Sequence, residues 1–212
     1  MKSNLLCAVL CFLLFSLSGM AQSAIPTKIV EITKPNVNIR KTAAANGAIA
    51  EKAPKGKQYE LVSTQGAWYE IKDPITGEVA FVSNTVSVTK APASLESYIK
   101  EASEKNKVFK NTKTSSTEET VYSYSFSMEK GSNKIVNAWL NYQYGNTQGH
   151  MRMRDYSYIG ELKGWYIVLN KEVDIMTEEA SEMNPTIVYK SVVDDGYYIG
   201  GELYKIAEGS TF

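Results

Sequence analysis

One histidine, His150, and two cysteines, Cys7 and Cys11, are the whole stock of imidazole and thiol in 212 residues. A metal centre or an activated nucleophile needs such a group beside a second ligand or an orienting partner. His150 has no second imidazole to share a metal with and stands next to an expected hairpin turn, so it reads as a surface histidine. Asp194-Asp195 resembles a carboxylate pair, yet adjacent strand residues point to opposite faces, and the following Gly196 explains both as turn formers. Glu178, Glu179 and Glu182 lie in a polar connection with no apolar shell to raise a carboxyl pKa. Gly-x-Ser-x-Gly and a phosphate loop with its Lys-Ser/Thr are both missing. The expectation is a protein without catalysis, metal or cofactor.

The start of the chain removes more chemistry still. Lys2 supplies a positive charge, Leu5 to Leu17 is an apolar run broken only by Ser16, and Gly19 and Ala21 are small residues before the polar Gln22. This predicts a secretory signal peptide over 1–21. The run is shorter than the roughly 18 residues that span a bilayer, so cleavage leaves no membrane span. Both cysteines depart with it. Disulfides, thiolate metal sites and cysteine nucleophiles then go together, and core burial alone must hold the fold. With 23 Lys+Arg against 23 Asp+Glu, no global field exists to collect phosphates, which argues against a nucleic-acid partner.

Composition then divides the remainder. Five of six prolines precede residue 93, and twelve of fourteen tyrosines follow residue 97. Pro92 ends a strand and Ser94 can cap a helix, which sets domains at 25–90 and 94–212. In the first, about five short β-runs (28–33, 58–63, 68–71, 79–82 and 86–88) alternate with turns at Asn46-Gly47, Lys55-Gly56, Gln65-Gly66 and Asp73 to Gly77. So short a segment closes most economically as a small barrel or a tightly rolled sheet.

Val37-Asn38-Ile39-Arg40, Gly47 with Ile49, Pro54-Lys55-Gly56, Gly66-Ala67-Trp68-Tyr69-Glu70-Ile71 and Gly77 with Ala80-Phe81-Val82-Ser83 occur in the order seen in bacterial SH3 (SH3b) domains. Residues 28–89 resemble that family. The chain departs from it at Lys41-Thr42-Ala43-Ala44, where Gly-Pro normally follows the arginine, and at Ala80, where a glycine is usual. The resemblance implies an SH3-like barrel in an exported bacterial protein, in the periplasm or at the cell surface, that recognises cell-wall peptide.

Residues 95–107 carry Leu95, Tyr98, Ile99 and Ala102 at helical spacing and predict one amphipathic helix. From Glu118 the period changes to two. Tyr122, Tyr124, Phe126 and Met128 alternate with serines, and Val136, Ala138, Leu140, Tyr142 and Tyr144 repeat the pattern. Further strands at 165–171, 186–193 and 197–206, the last two joined by a tight Asp194-Asp195-Gly196 hairpin, complete an antiparallel meander of about six strands. This half resembles no family. The fold class is therefore mainly β: an SH3-like small barrel, then a meander with one helix.

If the strands on either side of Gly145 to Gly149 pair, Trp139, Asn137, Asn141 and Gln143 share a face with Arg152 and Arg154. An indole beside amide and guanidinium donors suits a sugar or peptide, unless the helix covers that face. In the first domain, Tyr69 and Arg40 are the further candidate ligand-binding residues, because Trp68 and Tyr69 take opposite faces and one of them is free to line a groove. With what the SH3b resemblance implies, these features favour a non-catalytic peptidoglycan-binding protein whose second domain binds a further ligand, a cell-wall glycan or an envelope protein. Two alternatives stand beside it: an inhibitor or assembly factor using the Tyr-rich sheet as an interface, and a hydrolase with paired carboxylates in the second domain.

Overall fold

The computed structural model describes residues 25–105, 107–114, 118–146 and 151–208, so the expected signal peptide and His150 lie outside the described residues. The chain is mainly β, as its patterning predicts. Strands β1 (Ile29–Ile32), β2 (Val37–Arg40), β3 (Ile49–Ala53), β4 (Gln58–Gln65), β5 (Trp68–Lys72), β6 (Val79–Ser83) and β7 (Ser87–Lys90) form one seven-stranded sheet, ordered β3-β2-β6-β5-β4-β1-β7. Alternate residues turn inward, and the sheet rolls around Val30, Ile32, Ile39, Tyr59, Ile71 and Val82. The run at 49–53, Ile-Ala-Glu-Lys-Ala, buries only Ala53. Its weak apolar signal hides β3, and β2 spans only four residues, so five strands are legible where the sheet contains seven.

Helix α1 (Glu96–Glu104) buries Ile99 and Ala102 behind Leu95, the face its spacing predicts. Eight strands follow: β8 (Lys107–Thr114), β9 (Glu118–Met128), β10 (Lys134–Asn146), β11 (Met151–Lys163), β12 (Tyr166–Val173), β13 (Ala180–Lys190), β14 (Tyr197–Ile199) and β15 (Glu202–Glu208). Each pairs antiparallel with the next, and β15 returns to β8, so the expected six-stranded meander is a closed eight-stranded barrel. Closure leaves no free sheet edge. The two additional strands have physical reasons. β8 reads as a polar stretch with only Val108 and Phe109 apolar, and Gly200 and Gly201, both at positive φ, split the expected 197–206 strand into β14 and β15.

Phe109, Phe126, Ala138, Leu162, Leu169 and Val188 fill the barrel together with Leu95, Ile99 and Ala102 of the helix segment. A register shift between Ile135 and Ala138 buries both of these residues, while Val136, expected inside, is 39% exposed.

The outer face of β12 and β13 is also apolar. Tyr166, Tyr189, Val168 and Ile187 pack with Trp165 against Ile29 of β1. All four residues of β1 are consequently buried, with Val30 and Ile32 facing the rolled core and Ile29 and Glu31 facing the barrel. The Glu31 carboxylate, 0% exposed, accepts from Ser191 Oγ at 2.6 Å, Val192 N at 2.7 Å and Gln58 Nε2 at 2.8 Å. Gln58 Nε2 also donates to the Lys190 carbonyl. Residues 191–196 are therefore a clasp on the first sheet and not the tight hairpin expected at Asp194-Asp195-Gly196, since the β13–β14 ladder stops at Lys190 opposite Tyr197.

One six-residue loop occurs in both halves. Asp73 Oδ1 accepts the amides of Ile75 and Thr76, and Asp174 Oδ1 accepts those of Met176 and Thr177. The fifth position takes positive φ in each, as Gly77 at 74° and Glu178 at 61°. Glutamate gains nothing from that backbone conformation.

Glu31→Gln places an amide donor among donors, and it should destabilise the protein by about 2–4 kcal/mol in urea unfolding. A loss under about 0.5 kcal/mol, within the range of ordinary surface changes, would mean that the clasp does not hold the two parts together. In the opposite direction, Glu178→Gly should stabilise by roughly 0.5–1 kcal/mol, read as a higher melting temperature.

Candidate functional site

Three surfaces can meet a ligand, and each is set by strand parity. On the first sheet, Asn38 and Arg40 point away from the core that takes Val37 and Ile39. Trp68, half-buried across the sheet, faces them. Together with Lys34, Asn36 and Val86 they line a groove of about 390 Å³. Arg40 Nη1 donates to the Gly47 carbonyl at 2.6 Å, which fixes the guanidinium and leaves its other N–H groups for a ligand. Lys34 and Arg40 are cations, and no acidic residue lines the groove. Of the expected binding residues in this half, Arg40 lines the groove and Tyr69 does not. Tyr69 packs against the core, and its neighbour Trp68 takes the exposed face.

A second site lies between the first sheet and the barrel. Lys57 and Asp73 line this cleft, and they belong to an ion cluster that extends into the first sheet: Lys57 Nζ stands 2.9 Å from both Glu51 oxygens and 2.9 Å from Asp73 Oδ2, while the Tyr59 hydroxyl donates to Glu51 Oε1 at 2.6 Å. Burial alone would raise the Asp73 carboxyl, but the Thr76 and Ile75 amides and Lys57 outweigh it and hold the pKa below the usual carboxylate range. Burial likewise opposes the charge on Lys57, and the two carboxylates outweigh it and push that pKa up. Tyr59 is driven far above its ordinary value, by burial first and then by Glu51. Two carboxylates thus come together in the first sheet, where no motif marks them. A general acid needs a carboxyl raised toward neutrality, and here the Asp73 shift runs the other way.

The third surface carries Trp139. Its register partners are Ser125 on β9 and Ser157 on β11, and the indole is half-buried on the polar side of the sheet. The helix does not cover it, because Ile99 and Ala102 pack with Phe126 and Ala138 at positions of the opposite parity. Arg154 pairs with Tyr142 and Arg152 with Tyr144, one step out of phase with Trp139, Asn141 and Gln143. The side chains of Asn137, Asn141, Gln143, Arg152 and Arg154 lie outside those described. Most described tyrosines are not at the surface either. Tyr124, Tyr197 and Tyr204 belong to the barrel core, and Tyr166 and Tyr189 are buried against the first sheet.

The chain matches no protein-family model and no solved structure. Over 76 residues it is 36% identical to "Putative N-acetylmuramoyl-L-alanine amidase YrvJ" of Bacillus subtilis (strain 168). That stretch is 36% of this chain and 14% of the Bacillus protein. The similarity is therefore to a small part of a protein named for cell-wall chemistry. Among the described residues, no three His, Cys, Asp or Glu are grouped to hold a metal ion, and no helix is long and apolar enough to cross a membrane.

The ion cluster makes stability depend on pH at both ends. Asp73, with its folded pKa lowered, contributes above the ordinary value of about 3.9 and loses that contribution as pH falls through the lowered one. Lys57, with its pKa raised, contributes below about 10.4 and loses it as pH climbs through the raised value. Asp73→Asn should cost about 1–3 kcal/mol at pH 7. In urea unfolding the gap between variant and parent should close as pH drops below about 4. A gap of undiminished size at the acid end would place its origin outside the ion pair.

Proposed function

We propose that this protein is an exported, non-catalytic binding protein of the bacterial cell envelope, whose first sheet is an SH3b-type domain that holds cell-wall peptide in the Arg40–Trp68 groove. The observation that carries the reading is the groove itself: a half-buried indole and two cations on one lining, with no acidic residue among them. Peptides that end in, or branch through, free carboxylates suit that arrangement, since guanidinium recognises carboxylate with paired donors and an aromatic face packs on backbone and aliphatic carbon. The similarity to a segment of the Bacillus protein supports it. A stretch that makes up 14% of an amidase fits a targeting module as readily as a part of the catalytic machinery, and Asp73 in the ion cluster is shifted down, away from the raised carboxyl of an acid catalyst. The apolar run of residues 5–17 supports export.

Lys41 to Ala48 shape the rim of the groove. Where the family's Gly-Pro would stand, Lys41 N bonds the Ala48 carbonyl and Gly47 N the Ala44 carbonyl, so the loop folds back on itself. The divergent loop supports a ligand different in detail from the family's usual one, bound by the same strand positions.

Co-sedimentation with purified sacculi at low salt tests the reading. The form beginning at Gln22 should pellet with the sacculi, and Trp68→Ala and Arg40→Ala should each reduce the bound fraction about tenfold, the loss of a central aromatic or arginine contact. Protein that stays in the supernatant removes wall binding from consideration, and binding indifferent to both substitutions moves it off this groove.

A further inference from the structure

Arg40 takes its place in the groove from the loop that follows β2. Its Nη1 donates to the Gly47 carbonyl at 2.6 Å, and the Gly47 amide donates in turn to the Ala44 carbonyl at 3.0 Å. Position 47 admits no side chain. A Cβ there would collide with Thr42 Oγ1 and stand 3.1 Å from the carbonyl oxygens of Thr42 and Ala44. Glycine is therefore what lets the loop fold tightly enough to offer its carbonyl to the guanidinium. Ala45, in the same turn, lines the groove.

The residue before Gly47 is Asn46. It is exposed, and Asn46-Gly47 is the one Asn-Gly pair in the sequence. Such a pair can react with itself. The backbone nitrogen of the second residue attacks the side-chain carbonyl carbon of the asparagine, and the missing side chain of glycine leaves that approach least hindered. Asn84, also exposed, is followed by the β-branched Thr85, and Asn133 by Lys134. At Asn46 the attacking nitrogen must first leave the Ala44 carbonyl. That hydrogen bond closes a surface turn, where local opening requires little free energy. The glycine that anchors Arg40 is thus the residue that makes Asn46 reactive.

We infer that Asn46 is a site of spontaneous deamidation, and that its products loosen the Arg40 anchor and weaken the hold of the groove on carboxylate ligands. The Gly47 nitrogen bonds to Asn46 Cγ, its proton departs with the side-chain amide as ammonia, and a succinimide ring closes. Water then breaks one of the ring C–N bonds. Cleavage at the side-chain carbonyl gives aspartate. Cleavage at the main-chain carbonyl gives isoaspartate, in which the chain runs through Cβ and Cγ and is a methylene longer. The net reaction consumes water and releases ammonia, with no oxidant or reductant. Either product sets a carboxylate beside a lining that has no acid, and the longer backbone carries the Gly47 carbonyl away from Arg40. The consequence for binding rests on the wall-peptide reading; the modification does not.

Incubation of the form beginning at Gln22 in mildly alkaline buffer, followed by peptide mapping, tests it. Base speeds the reaction because the attacking amide must lose its proton. The tryptic peptide 42–52 should gain the mass that separates OH from NH2 and split into aspartyl and isoaspartyl forms, ahead of the peptides carrying Asn84 and Asn133. In NMR spectra the Arg40 guanidinium N–H resonances, kept apart by the bond to Gly47, should merge as that peptide converts. Sacculi should retain about tenfold less of the converted protein, the loss expected for Arg40→Ala. Asn46→Gln, whose longer side chain disfavours the ring, should stay intact and bind as the fresh parent does. Asn46 that survives as long as Asn84 and Asn133 overturns the site. Unchanged Arg40 resonances or undiminished retention after conversion overturns its action on the groove. Fresh protein that never pellets removes the wall-peptide reading alone, since mass and resonance still report on Asn46.

Discussion

A carboxylate without exposure cannot be left to chance neighbours, and Glu31 sets the terms for everything packed around it. Its donors come from Gln58 in the next strand and from Ser191 and Val192, about 160 positions along the chain. Among the described residues no cation answers the charge at hydrogen-bond distance, and three hydrogen bonds satisfy it. That demands close geometry, because a donor displaced by an ångström leaves the charge bare. The clasp thereby couples the first sheet to the barrel in a way apolar packing could not, since apolar surfaces slide at little cost and a three-donor carboxylate does not. Ser191 extends the order outward: while its hydroxyl donates to Glu31, its oxygen accepts the amides of Val193 and Asp194. Asp194 then holds Tyr198, a wall of the cleft.

The same junction shows which parts of the fold were legible in the sequence. Tyr122 to Met128 alternate apolar and serine, and β9 follows that pattern, because one face meets the barrel core and the other stays polar. Where both faces are covered the alternation vanishes. Trp165 to Leu169 and Ile187 to Tyr189 are continuous apolar runs, with Ile167, Leu169 and Val188 inside the barrel and Tyr166, Val168, Ile187 and Tyr189 against the first sheet. A continuous run in an antiparallel setting is itself a sign that something covers the outer face. The Tyr-rich composition pointed toward ligand binding, but Tyr166 and Tyr189 are committed to this junction and Tyr124 and Tyr204 to the core.

Strand parity governs what periodicity cannot reveal. One extra residue between Ile135 and Ala138 reverses the face taken by everything upstream of it in β10, so Val136 turns outward against its pattern. Bulges leave no mark in hydrophobic periodicity. The pairing of Arg154 with Tyr142 depends on how many residues the β10–β11 turn consumes, and a shift of one residue exchanges the faces. Asp73 was legible as a turn former and no more. Its second carboxylate oxygen meets Lys57, fifteen or so residues away in another loop, and only the rolling of the sheet brings the two together.

The two candidate sites of the first sheet divide charge between them. Lys34 and Arg40 stand at the groove without acids, and Glu51 and Asp73 outnumber Lys57 in the ion cluster, so a chain of zero formal charge separates cationic from anionic groups on a single small sheet. Neutrality at the level of composition therefore conceals a separation of charge. The separation has a structural cost that the fold confines. Two carboxylates held beside one ammonium repel each other, and the Tyr59 hydroxyl and the Ile75 and Thr76 amides are the groups that make the arrangement tolerable. Since those amides belong to the loop at the mouth of the cleft, the groups that stabilise the charge also shape the space a ligand would occupy.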